Sequence, residues 1–153
     1  MSTDEIPEGF ELFPLDQTFN DALSPMFYRI DASGTCWGLY VEKKHTNMMG
    51  VCHGGVLMTL MDFALSAVVC HAMGKFTGTP TISMSCDFLA KAVEGDWIYA
   101  DVEALKITRT IGFSHGVVRR KDGTVLMRAS GSFKLPADID KAEGVFLADM
   151  LAQ

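Results

Sequence analysis

The stretch that most constrains this chain is Asn47 to Met73, in which a glycine-bearing turn runs into a long apolar segment. From Val56 to Met73 nearly every position is Val, Leu, Met, Ala, Phe or Cys, and the only formal charge is Asp62. A helix of this composition is apolar on every side, so it has to be surrounded by protein or lipid. A carboxylate at its centre then needs a partner or a function. The paired glycines after His53 place backbone N–H groups at the expected helix start, where no earlier carbonyl accepts them and the helix dipole is positive.

A lipid environment does not fit the rest of the chain. An acid at mid-bilayer is costly, the apolar segment stands alone, and the sequence after it alternates polar and apolar residues in a way that needs a core to cover. In Thr81 to Phe88 the apolar set is Ile82, Met84, Cys86 and Phe88, which reads as one buried strand face. Trp97 to Ile107 puts Ile98, Ala100, Val102 and Ala104 together, Ile111, Phe113, His115 and Val117 mark a third strand, and Val125 to Phe133 alternates most cleanly. Lys121-Asp122-Gly123 is a hairpin signal. Four strands with short connections predict an antiparallel meander. Its apolar face and the all-apolar helix cover each other if the sheet curves around the helix, giving an α+β domain. The part of the helix still protruding calls for a second copy of the chain, so an obligate oligomer built on a two-fold dimer is expected.

Before the helix, Phe19 to Pro25 suits a short helical turn, and Met26–Ile30 and Thr35–Glu42 read as strands around a turn. Residues 1–18 form an expected N-terminal tail, 19–135 one domain, and 136–153 a C-terminal tail or short helix. The net charge of -6 argues against nucleic acid and acidic membrane surfaces as partners. MSTDEIPEG has no signal-peptide pattern, and the four cysteines are widely spaced with no C-x-x-C pair. They are expected to be reduced packing residues in a cytoplasmic protein.

The string Asn47-x-x-Gly50-x-x-His53-Gly54-Gly55, followed by Asp62 on the same helix and by the strands, resembles the hotdog-fold acyl-CoA thioesterases, most closely those of the phenylacetic-acid-degradation type. The resemblance covers about residues 19–135. It implies a curved antiparallel sheet wrapped around a central helix, dimers that pair into tetramers, and hydrolysis of acyl-CoA to free acid and CoA without metal or other cofactor. It also implies that Gly54 or Gly55 polarises the thioester carbonyl and that Asp62 is the catalytic carboxylate, acting as general base or as nucleophile. Asn47 would position the carboxylate or the attacking water, and His53 would shape the turn. Related enzymes carry a serine where this chain has Thr81, with Ser83 two residues on, and either can supply the hydroxyl. Arg109 in the Arg109-Thr110 turn is the candidate contact for CoA phosphates. Met48 and Met49, beside the motif, are candidates for touching substrate.

Spacing adds a step independent of the resemblance. Asp62 lies eight residues beyond Gly54, roughly 12 Å along a helix axis. One carbonyl cannot meet both on one helix, whereas two antiparallel helices related by a two-fold can bring Gly54 and Gly55 of one subunit to Asp62 of the other.

Competing readings are weaker. His45, His53, His71 and Asp62 have no recognised metal-site spacing, and Cys52 and His53, being adjacent, do not face each other as a nucleophile pair. A noncatalytic acyl-CoA-binding module leaves Asp62 without a purpose. A hydratase or dehydratase on the same fold would pair an acid with a histidine in another motif. A purely structural role leaves the helix-start glycines unexplained.

Overall fold

The computed structural model describes residues 6–152; the first five residues of the expected N-terminal tail and Gln153 of the C-terminal one lie outside the described residues. A seven-stranded antiparallel sheet runs in the order β1 (Glu11–Leu12), β2 (Met26–Asp31), β3 (Gly34–Tyr40), β6 (Trp97–Ile107), β7 (Ile111–Arg120), β8 (Val125–Lys134) and β5 (Thr81–Phe88). The long helix α1 (Gly54–Met73) packs on its inner face. Two short strands, β4 (Lys75–Thr77) and β9 (Gly144–Phe146), pair beyond the end of α1, and a one-turn helix α2 (Leu147–Leu151) follows. The expected short helix near the C-terminus is therefore preceded by a strand.

By length and composition alone α1 could cross a membrane. Here Leu57, Leu60, Met61, Ala64, Leu65 and Val69 are buried against Trp37, Leu39, Ile98, Ala100, Val118, Met127 and Phe133 of the sheet. The stripe through Gly55, Met58, Thr59, Asp62 and Ser66 is only partly covered, and Met58 is 39% exposed.

The expected four-strand meander is corrected in one respect. β6, β7 and β8 form one, but β5 does not adjoin β6: it pairs with β8 as an outer strand, and the place beside β6 belongs to β3. The 89–96 connection is long enough to carry the chain across the ends of β8 and β7. The expectation of a buried face on β5 is corrected as well. A bulge between Thr81 and Ser83 shifts the register, Ile82 is 54% exposed and Phe88 lies open, while Met84 and Cys86 are half-buried.

β7 reverses the face that its large apolar residues suggest. Phe113 and His115 point outward, and Gly112, Ser114 and Val118 face the helix. A Cβ on Gly112 would stand 2.5 Å from Cγ1 of Val69, and Ser114 Oγ donates to the Leu65 carbonyl at 3.0 Å. At Gly112 and Ser114 the helix sits so close to this strand that only small side chains fit beneath it.

The lead-in is seated by rings. Phe10 packs edge-on against Trp97 with centroids 5.3 Å apart, and Phe13 meets Tyr28, Trp37 and Phe63 at 6.1, 5.5 and 5.4 Å. At the other end the buried Lys75 donates to the Ile139 carbonyl at 2.9 Å and stands 4.2 Å over the Phe146 ring, which holds the final segment.

Candidate active site

The turn before α1 explains the spacing of its residues. Asn47 Oδ1 accepts from the Met49 N–H at 2.9 Å and the Val51 N–H at 3.4 Å, and its carbonyl accepts from Gly50 at 3.0 Å. Gly50 has φ +72°, a left-handed conformation that glycine adopts without strain. The turn closes with Thr46 bridged to Cys52, and the His53 N–H donates to the carbonyl of the buried His45 at 2.8 Å. Asn47 thus folds its own turn, and within one chain it makes no hydrogen bond to Asp62. Met48 and Met49 stand exposed at the tip.

His53 is the N-cap of α1. Its Nδ1 accepts from the Gly55 N–H at 2.8 Å, and its carbonyl accepts from Val56 at 2.9 Å and Leu57 at 3.4 Å. The ring therefore accepts a bond, where the more usual structural histidine donates to a carbonyl, and a neutral ring in this arrangement carries its proton on Nε2. Three of the four orphan N–H groups of the first turn are taken, Gly55's among them. Among the described residues, Gly54 keeps the only first-turn N–H without an acceptor. It opens on a cleft of about 380 Å³ lined by Cys52, Leu57, Phe88, Leu89 and Lys91, and Phe88 ring carbons lie 3.2 Å from where a Gly54 Cβ would be. Cys52 is buried, and burial pushes its thiol up to about 11, so it is protonated at neutral pH and no thiolate nucleophile.

Asp62 lies two turns further along the helix, half-buried, and its Oδ1 accepts from Thr81 Oγ1 at 2.7 Å. Of the two hydroxyls expected here, Thr81 is the one bonded to Asp62, while Ser83 lies 3.1 Å from Ser132 on the neighbouring strand. The carboxylate opens on a separate cleft of about 450 Å³ lined by Phe13, Trp37, Phe63, Ser66, Phe76 and Thr79. This cleft and the one at Gly54 have no lining residue in common. Arg109 is exposed in the β6–β7 turn with no ion-pair partner among the described residues, whereas Arg119 and Arg120 pair with Asp101 and Asp122 at 3.2 and 2.9 Å. No three His, Cys, Asp or Glu side chains converge among the described residues. A roomier cleft of about 580 Å³ on the outer face of the sheet is crossed by the Asp87–Arg128 ion pair and contains none of the site residues.

Sequence reasoning did not find the rings around Asp62. Ser66 was legible, one helical turn after Asp62 on the same face. Phe13, just after β1, and Trp37 on β3 are distant in sequence from the helix, and no local pattern ties them to it.

A long apolar helix cradled by a curved antiparallel sheet, with a free amide at its N-terminus and a carboxylate at its middle, defines the hotdog class of α+β domains. The chain belongs to the thioesterase superfamily, whose family model matches residues 49–127, and it is a thioester hydrolase by class. It is 30% identical over 132 residues to a Pseudomonas aeruginosa protein described as an esterase, covering 86% of this chain and 98% of that one. Human acyl-coenzyme A thioesterase 13 is 32% identical over 75 residues, 48% of this chain and 52% of that one. In three dimensions the zebrafish thioesterase superfamily member 2 superposes with a TM-score of 0.72 at 24% identity, over 79% of this chain and 88% of that one.

Proposed function

We propose that the protein hydrolyses acyl-CoA thioesters at sites shared between two subunits. The observation that carries this is the division of the machinery: the unpaired Gly54 N–H and the Asp62 carboxylate lie on one helix in clefts with no lining residue in common. An antiparallel pairing of two α1 helices lays the Gly54 end of each against the Asp62 of the other. The partly covered stripe of α1 and the open strand β5, with exposed Ile82, Phe88 and Leu89, supply a surface for that pairing. A strand edge with exposed apolar residues calls for a partner.

In this site the Gly54 N–H donates to the thioester carbonyl oxygen and stabilises the oxyanion as it forms. Thr81 fixes the Asp62 carboxylate through Oδ1, leaving Oδ2 to take a proton from water. The water oxygen bonds to the carbonyl carbon, the C–S bond breaks, and the proton passes to the leaving thiolate. Free acid and CoA result. In this reading the exposed Arg109 contacts CoA phosphate, and the exposed Met48 and Met49 contact the substrate of the partner's carboxylate. The two-fold dimer is the catalytic unit, and pairs of dimers form the tetramer.

Thiol release from a panel of acyl-CoAs tests this reading. The Asp62→Asn variant is expected to stay folded and associated while losing at least about 100-fold in rate, the lower range for a positioned general base. Unchanged turnover would remove Asp62 from the mechanism. Binding of acyl-CoA without thiol release by the wild type would favour a noncatalytic binding module.

A further inference from the structure

The cleft beside Asp62 is a trough of definite length. Its floor is one stripe of α1 formed by Asp62, Phe63, Ser66, Ala67 and Cys70, spaced to share a helix face. From Asp62 to Cys70 the helix advances about 12 Å. One wall is aromatic, with Trp37 and Phe63 centroids 4.8 Å apart and Phe13 against both. The other wall is the segment from Phe76 to Thr81 that leads into β5.

On the floor and on the wall from Phe76 to Thr81 the polar side chains are already paired, while in the aromatic wall Trp37 Nε1 is buried without a partner. Ser66 Oγ and Thr79 Oγ1 lie 2.6 Å apart, and Cys70 Sγ donates to the Thr77 carbonyl at 3.4 Å. The second contact ties the far end of the floor to the wall. Burying an apolar chain here leaves no side-chain donor on the floor without its acceptor. The single charge, Asp62, stands at the opposite end.

We propose that this trough holds the acyl chain of the substrate, with the reacting carbonyl at Asp62 and the chain end at Cys70, and that it selects straight acyl chains of medium length. An extended chain covers about 1.2 Å per bond and its terminal methyl takes up about 2 Å more, so ~12 Å accommodates about eight bonds, joining about nine carbons. The preferred thioesters are then those of about eight to ten carbons. A single ring would leave the Ala67–Cys70 end of the floor uncovered, and a much longer chain would run into the Cys70–Thr77 contact. The inference rests on the thioesterase reading above and deepens it.

The test is kcat/KM for thiol release from acetyl-, butyryl-, octanoyl-, decanoyl-, palmitoyl- and phenylacetyl-CoA, by the wild type and by two variants that fill the floor. Ala67→Leu adds bulk at a buried position. Ala67→Val adds less bulk at the same position and serves if the first fails to fold. The wild type is expected to peak at octanoyl- or decanoyl-CoA. Each folded variant is expected to lose at least ~10-fold on decanoyl-CoA while staying within about two-fold on butyryl-CoA, the scale of methylene discrimination in an apolar pocket. A wild-type peak at acetyl-, palmitoyl- or phenylacetyl-CoA would overturn the proposal with the thioesterase reading intact, as would equal losses on butyryl- and decanoyl-CoA. A folded wild type that releases thiol from none of the six would overturn the reading beneath it as well.

Discussion

His53 and Gly54 divide the start of α1 between them. By capping Gly55 with its ring and Val56 and Leu57 with its carbonyl, His53 leaves one N–H free at the positive end of the helix. The motif residues were legible in the sequence, but their roles were legible only in part. Asn47 and Gly50 build the turn, and of the two glycines expected to donate, one is occupied. Beneath this turn His45 is buried with Nδ1 accepting the Glu42 N–H at 3.0 Å. Burial, reinforced by Lys44, lowers its pKa from the ordinary 6.5. The fold therefore binds the neutral ring, and the unfolded chain takes up the proton first as pH falls. The stabilisation is fully present above pH 6.5 and is lost as pH drops from there to the lowered native value. The wild type is expected to lose more melting temperature between pH 7 and pH 5 than His45→Asn, which keeps an acceptor for Glu42. Equal losses would contradict this account of His45.

At the scale of elements, hydropathy patterning located the helix and the strands well. The expected strand from Trp97 to Ile107 has those same bounds in the structure. It failed where the helix comes closest. On β7 the large residues Phe113 and His115 alternate with Gly112 and Ser114, and a reader of hydrophobicity buries the large ones, while the backbone separation admits only the small ones. Period-two alternation shows that a strand has two faces and leaves the choice of face to packing. The same close approach makes Gly112→Ala a test of the seating. Its Cβ would meet Val69 at 2.5 Å, and overpacking of this kind costs about 1–3 kcal/mol. A lower urea midpoint with unchanged slope is expected. An unchanged midpoint would mean that α1 and β7 are less tightly apposed.

For the whole molecule, the α+β class and the wrapped helix followed from an all-apolar helix beside strands with one apolar face. Strand order did not, because the place of β5 depends on a long connection whose course no local signal encodes. That place matters: as the outer strand next to β8, β5 leaves Ile82 and Phe88 open beside the uncovered stripe of α1 that carries Asp62. The unfinished surface and the divided machinery therefore occupy the same side of the molecule. In the proposed dimer, covering the helix and assembling the site are one event.

A mixture of two inactive variants tests this most directly. Asp62→Asn removes the carboxylate. Gly54→Pro removes the free N–H at the first helical position, where proline is tolerated, and His53 at φ -64° and ψ 136° already has the extended conformation a following proline requires. Each variant alone is expected to be folded and at least about 100-fold slower than wild type in thiol release. After unfolding together in equal amounts and refolding, half of the dimers are mixed, and each mixed dimer has one site with both groups intact. The account predicts recovery of about a quarter of wild-type activity. If the refolded mixture forms mixed dimers and is no more active than the separate variants, Gly54 and Asp62 do not act across the subunit interface.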